Sequence, residues 1–148
     1  PVIGICGASC SGKSTLVKSL AAQFGPVVIA LDDYYCVRQL KPGLSYLQVD
    51  GFEVLNGYDN WDAYNAFQWD NIVKVVTNAA QTAPLVIVEG LFTFCNADLV
   101  KLLDVGIFLQ VNIDTVNTRR FARDTWLVEN PKYWDCIELG FQGNHTTA

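Results

Sequence analysis

The sequence predicts an α/β fold, a central parallel sheet flanked by helices, and three observations lead to it. Short apolar runs rich in β-branched residues alternate with stretches of helical periodicity from Val2 onward, which is the pattern of parallel strands joined by right-handed helical crossovers. A glycine-rich segment, Gly7-Ala8-Ser9-Cys10-Ser11-Gly12-Lys13-Ser14, separates the first apolar run from the first helical stretch. Two later apolar runs end in acids, Asp32-Asp33 and Glu89, at the strand ends where open α/β sheets hold their ligands.

Taken in order, Val2–Cys6 reads as a buried strand and Ser14–Phe24 as a helix. The segment between them has a glycine, four variable residues and then Gly12-Lys13-Ser14, so successive backbone N–H groups converge on an anion at a helix N-terminus. Lys13 adds a mobile positive charge for the β and γ phosphates of a nucleotide, and the Ser14 hydroxyl can ligate the Mg²⁺ that bridges them. Gly7, Ala8, Ser9, Cys10, Ser11, Gly12, Lys13, Ser14 and Thr15 are thus the candidate phosphate site, and the fold class becomes the three-layer sandwich of P-loop NTPases.

Pro26–Leu31 reads as the second strand and delivers Asp32-Asp33-Tyr34-Tyr35 to its carboxyl end. Asp32 is expected beside the phosphate loop, whereas Asp33 serves equally well as a turn or cap acid. Residues 36–60 have little periodicity and several turn signals, among them Lys41-Pro42-Gly43, Asp50-Gly51 and Asn56-Gly57. Long loops of this kind bind ligands or act as lids. The loop closes on Asn60-Trp61-Asp62, after which Phe67, Ile72, Val73, Val76 and Ala80 recur at helical spacing to about Thr82, with Asn65 as the candidate cap and Trp69 at the helix edge.

Leu85–Gly90 is uniformly apolar up to Glu89 and reads as a central strand. An acid in this place can hold water on the Mg²⁺ bound by Ser14, and Gly90 permits close backbone approach. Asp98–Leu103 is expected as a short helix and Val105–Val111 as a fourth strand, followed by a helix capped by Asp114-Thr115 that carries Arg119, Arg120 and Arg123. On that helix Arg119 or Arg120 falls on one side with Arg123, where the guanidinium groups meet phosphates or a ribose, or else form a solvated face balanced by Asp124.

Composition limits the function classes. With 148 residues, 51% of them apolar, the chain is expected to fold as one domain with a real core. A net charge of −5 and a pI near 4.6 argue against a broad nucleic-acid-binding face. Pro1 leads directly into the first strand, without the pattern of a signal peptide, and no apolar run is long enough to span a membrane, so a soluble cytoplasmic protein with no nucleic-acid or membrane partner is expected. Cys6, Cys10, Cys36, Cys95 and Cys136 are scattered singly, the usage of reduced thiols rather than a zinc site. Cys10, at a helix start, is a candidate for a lowered pKa, or simply a small residue in the loop.

Gly7–Thr15, Leu31-Asp32-Asp33-Tyr34-Tyr35, Asn60-Trp61-Asp62, Val88-Glu89-Gly90 and Arg119-Arg120-Phe121-Ala122-Arg123 occur here in the order and rough spacing of the uridine kinase superfamily. Within it the chain most resembles the nicotinamide riboside kinases, through the doubled acid with two aromatics, the Asn-Trp-Asp triplet, and Asn130-Pro131-Lys132-Tyr133-Trp134-Asp135 after the arginines. The phosphate loop is common to very many NTPases; the later motifs taken together are far more specific.

The resemblance implies ATP- and Mg²⁺-dependent phosphorylation of a riboside 5′-hydroxyl, giving nicotinamide mononucleotide from nicotinamide riboside, with a uridine or cytidine kinase and a nucleotide-binding module without phosphotransfer as the other readings. It implies Asp32 beside the acceptor hydroxyl as base or orienting group, Asp62 with Arg120 on the ribose hydroxyls, and Trp61 stacked on the base, with Asp33 and Tyr34 (or Tyr35) in the same pocket. A cationic nicotinamide would gain about 0.5–2 kcal/mol from an indole face. Arg119 and Arg123 are implied as lid cations over the transferring phosphate, within a lid at 119–135, and residues 36–60 as the substrate loop. The second aromatic face of the pocket is expected just after Arg123; Trp126 supplies it with a slip of one residue. The chain ends at Ala148, before the helix and strand that complete the fold in that family, so a fragment, a natural short form and an inactive relative all fit. Its one histidine, His145, lies in the last residues, away from any catalytic motif. Oligomeric state has no sequence signature here.

Overall fold

The computed structural model describes residues 1–36, 54–55 and 58–129. In chain order they form β1 (Val2–Gly7), α1 (Lys13–Phe24), β2 (Val27–Ala30), β3 (Val54–Leu55), β4 (Tyr58–Asp59), α2 (Trp69–Thr82), β5 (Val86–Gly90), α3 (Ala97–Val100), β6 (Val105–Leu109) and α4 (Ile113–Arg123). The chain divides into two compact units, one of residues 1–34 with 68–122 and the other of residues 35–67 with 123–148.

The first unit holds a four-stranded parallel sheet in the order β2-β5-β1-β6. This is the expected α/β class. Strands alternate their side chains between faces, and Ile3 and Ile5 of β1 join Ile87, Ile107 and Leu109 beneath Leu16, Val17 and Leu20 of α1. On the other face Gly4 leaves room for Leu103, Phe94 and Thr93, and α2 packs there on α3 and β5. Val86, Ile87 and Val88 have no exposed surface. A strand buried on both faces must read as a continuous apolar run, which is why β5 was legible as central.

Helix α1 begins at Lys13 after Gly12 and stops at Gly25, whose left-handed backbone (φ 58°) lets its N–H return to the Ala21 carbonyl at 3.1 Å. Glycine adopts that conformation without a Cβ clash. The other helix ends correct the expectations. Helix α2 starts at Trp69, and Asn65, expected to cap it, lies in a separate 3-10 turn, Tyr64–Ala66. Phe67 is not helical but bridges to Tyr35: apolar spacing alone cannot distinguish a helical residue from a buried extended one just before the helix. Helix α3 occupies Ala97–Val100 rather than 98–103, because Asn96 accepts hydrogen bonds from Asp98 N and Leu99 N (3.0 and 2.9 Å) and the chain then tightens to i→i+3 bonds at Leu102 and Leu103. Helix α4 is capped by Asn112, which accepts from Asp114 N at 2.8 Å, not by Asp114-Thr115. β2 and β6 are shorter than expected at their ends, the former turning at Leu31 into a 3-10 segment, Leu31–Tyr34.

In the second unit, β3 and β4 pair antiparallel with Val54 opposite Asp59 and Leu55 opposite Tyr58. The segment read as a loop throughout therefore contains a short ladder, for which the Asn56-Gly57 dipeptide is the sequence signal. Residues 37–53 and 56–57 of the expected loop, the 130–135 part of the arginine lid, Cys136 and His145 lie outside the described residues. Tyr35 stacks on the buried Phe67 at 4.4 Å, and Cys36 N donates to Ala66 O at 2.7 Å.

Candidate active site

The phosphate loop is shaped by backbone conformations that few residues tolerate. Gly12 has φ 103° and Cys10 φ 62°, the latter a left-handed geometry costing a non-glycine residue about 1–2 kcal/mol. Gly7, at φ 153°, is held so close that a Cβ would lie 2.7 Å from Leu109 O and 2.9 Å from Ser11 Oγ. The first turn of α1 has no side-chain cap, so its N–H groups remain available to an anion. Among the described residues, Ser11 Oγ is buried without a hydrogen-bond partner, and nothing lies within 4 Å of a Gly12 Cβ. A buried hydroxyl with nothing to bond to is costly; together with that open space, it fits a phosphate-bearing ligand.

Lys13 folds back along this loop, its ammonium donating to Gly7 O (2.9 Å) and Ala8 O (3.0 Å). Burial pushes its pKa down, and the carboxylates of Glu89 and Asp32 act against that shift. The ammonium therefore sits in the field of both acids singled out by sequence. Ser14 Oγ, exposed at the start of α1, is 3.3 Å from each Glu89 carboxylate oxygen. A hydroxyl facing a carboxylate at a phosphate loop is a donor set that suits Mg²⁺, which takes few protein ligands and shares phosphate oxygens and water.

Asp32 and Asp33 are both exposed in the 3-10 turn after β2, with Tyr34 half-buried and its carbonyl held by Gln68 N at 2.9 Å. Gly90 explains how that turn reaches the site. A Cβ there would stand 2.6 Å from Leu31 Cβ and 3.0 Å from Leu31 Cγ, so what Gly90 makes room for is the side chain of Leu31, the residue before Asp32, where a backbone approach was expected. The loop follows β1, Glu89 ends β5 and Asp32 follows β2, three neighbouring strands in the order β2-β5-β1. Arg119 on α4 donates to the Cys10 carbonyl at 3.3 Å, and Arg120 is half-buried beside it in the chain.

In the second unit, Asn60 is buried and its Oδ1 accepts from Asp62 N at 3.1 Å. This Asx turn sets the backbone of Asp62. Trp61, half-buried, meets Tyr35, one of the two tyrosines considered, edge to face at 5.3 Å and 87°. Arg123 is held by Asp124 through two hydrogen bonds of 2.8 and 2.7 Å, the balancing pair that its sequence spacing left open; an exposed pair of this kind contributes little to stability. Sequence reasoning missed the positional work of Asn60, Asn112 and Leu31. The first two carry an Asx signature, while Leu31 has no local one. Cys6, Cys10, Cys36 and Cys95 are free thiols, and burial pushes Cys6 up against backbone hydrogen bonds from Phe94, Gly7 and Thr93 that pull the other way. Among the described residues, no helix is long and apolar enough to cross a membrane.

Residues 2–127 match the family model described as AAA domain. The chain belongs to the AAA domain family. Its phosphate loop makes this AAA domain a P-loop NTPase, and the curated proteins it is similar to include nicotinamide riboside kinases and uridine kinases. It is 26% identical to a nicotinamide riboside kinase of Schizosaccharomyces pombe over 85% of this chain and 67% of that protein. It is 27% identical to uridine-cytidine kinase A of Dictyostelium discoideum over 83% of this chain but 28% of that one. The chain thus spans about two thirds of the first relative and little more than a quarter of the second. A solved structure described as a possible uridine kinase from Bacillus stearothermophilus superposes with a TM-score of 0.50 and 18% identity, covering 88% of this chain and 79% of that one, a likeness of fold.

Proposed function

We propose that this P-loop protein transfers the γ-phosphoryl group of ATP to the 5′-hydroxyl of a nucleoside, with uridine or cytidine the first acceptors to try. One observation carries the reading: the phosphate loop, Glu89 and Asp32 arise from the carboxyl ends of three adjacent parallel strands, with the Lys13 ammonium in the field of both acids. That is where an open α/β sheet works on a ligand.

Phosphoryl transfer requires positioning and charge neutralisation more than covalent chemistry from the protein. Mg²⁺, held by the Ser14 hydroxyl with Glu89 ordering its water, would neutralise the β and γ phosphates. The loop from Gly7 to Thr15 binds those phosphates through backbone N–H groups, and Ser11 offers them its buried hydroxyl. Lys13 exchanges its two carbonyl partners for phosphate oxygens. Asp32 orients the acceptor hydroxyl and takes its proton as the O–P bond forms, ADP leaving with the other electron pair. Arg119 and Arg120 add positive charge beside the loop, and Arg123 would join them by releasing Asp124. The resemblance supports Asp62 and Arg120 as ribose-hydroxyl partners, Trp61 as the base-stacking residue, and Asp33 and Tyr34 as further pocket residues.

A second reading, nicotinamide riboside as acceptor, is favoured by Trp61 within Asn60-Trp61-Asp62, since an indole suits a cationic ring, and by the fission-yeast relative. The test is ADP release by the 148-residue chain with Mg-ATP and uridine, cytidine, nicotinamide riboside or no acceptor. Turnover that depends on a nucleoside supports the proposal, and the acceptor used chooses between the readings. A folded chain that binds Mg-ATP but releases no ADP with any of these acceptors refutes both and leaves a nucleotide-binding module.

A further inference from the structure

Thr93 has no exposed surface, and its hydroxyl is 3.2 Å from the Ile5 carbonyl and 3.1 Å from the Gly90 carbonyl. Valine would fill the same space with no polar group to satisfy, and a buried hydroxyl must recover its desolvation through hydrogen bonds. The location of those bonds gives them meaning. The parallel ladder between β1 and β5 pairs Ile5 with Glu89 and ends at Cys6 with Gly90. Past that rung β1 becomes the phosphate loop, and β5 has just presented Glu89. The single Thr93 hydroxyl proton is shared between one carbonyl on each strand, so a side chain continues the tie where the backbone ladder stops. Cys6 adds a weaker tie, its thiol donating to Leu91 O at 3.1 Å. Across the same two strand ends, Ser14 Oγ lies 3.3 Å from each Glu89 carboxylate oxygen.

We propose that Thr93 is a positioning residue whose hydroxyl holds the end of β5 in the register that sets Glu89 against Ser14, and so determines how much Mg²⁺ the site needs to bind a nucleotide. The inference rests on the nucleotide reading of that site and is independent of the acceptor.

The test measures binding of a fluorescent ATP analogue by the full chain, titrated with Mg²⁺ and repeated in EDTA. Thr93→Val removes the hydroxyl and keeps the branched shape; Thr93→Ser keeps the hydroxyl and removes the methyl. Thr93→Val should raise the Mg²⁺ concentration for half-maximal binding roughly three- to tenfold, the scale of one buried hydrogen bond, and leave metal-free binding at the wild-type level. Thr93→Ser should restore the Mg²⁺ requirement even where its melting temperature is lower. A wild-type Mg²⁺ requirement in Thr93→Val, or one in Thr93→Ser that follows valine, overturns the role. If the valine variant does not fold, Thr93→Cys, with its poorer donor, takes its place and must shift the requirement in the same direction; an unshifted value overturns the role. A wild-type chain that binds no analogue removes the nucleotide reading, and the positioning role falls with it. A response lost in the variants alone concerns Thr93 only.

Discussion

Replacing Gly90 with alanine tests whether packing against β5 places Asp32. The added Cβ would press on Leu31 Cδ1 and meet Leu31 Cβ at 2.6 Å and Cγ at 3.0 Å, so the Cβ–Cβ contact alone is about 1 Å inside the roughly 3.5–4.0 Å at which carbon atoms pack best. Leu31 is fully buried, and the nearest offending atom on its stem moves only with the backbone. Relief must come from shifting the 3-10 turn that Leu31 begins, and Asp32 is its next residue. Overpacking of this kind costs about 1–3 kcal/mol, which at this chain length lowers Tm by roughly 2–4 °C per kcal/mol. A displacement of about 1 Å at a catalytic group can cost on the order of 100-fold in rate. The assay is ADP release at saturating nucleotide and acceptor, beside a thermal melt. Gly25→Ala is the control: it occupies a left-handed conformation with nothing within 4 Å of its Cβ, so it should destabilise by about 1 kcal/mol through backbone strain and leave kcat alone. If Gly90→Ala keeps both kcat and Tm, or if Gly25→Ala lowers kcat as much, the argument that Leu31 packing positions Asp32 is refuted.

Three further outcomes are expected. Asp32 is exposed, so Asp32→Ala should leave the melting curve and ATP-analogue affinity near wild type while abolishing nucleoside-dependent ADP release; retained turnover removes its assigned role. Lys13→Met should lose nucleotide affinity yet melt no lower than wild type at neutral pH, because burial penalises the ammonium. The sign follows from proton counting: between the lowered folded pKa and the ordinary 10.5, the unfolded chain binds more protons, so wild-type stability gains as pH rises and the variant's relative advantage shrinks toward pH 10.5. An advantage that grows with pH would contradict the burial argument. Trp61→Ala should weaken nucleoside binding well beyond its effect on ATP binding, measured by separate titrations, and equal losses would remove the stacking role.

What the sequence alone determined is what local chemistry encodes. The strand–loop–helix at Val2–Phe24 was legible because glycines, a lysine and a hydroxyl must stand at set offsets for a backbone to cradle phosphate, and β5 because a strand buried on both faces leaves no polar alternation. Glu89 and Asp32 were legible for the same reason, each closing an apolar run. The tertiary structure decided matters for which no local pattern exists. That Gly90 makes room for Leu31, that Thr93 ties Ile5 to Gly90, and that Tyr35 meets Trp61 are all pairings of residues brought together by the fold. Helix starts fell between the two: Asn112 holds the capping position expected of Asp114-Thr115, and Asn96 starts α3 at Ala97 and not at Asp98, since only the residue with its side chain just outside the first turn can accept the free N–H groups. Residue type and spacing set which chemistry is available, and packing sets where each group stands, because contact distances depend on every element between two residues rather than on their separation in the chain.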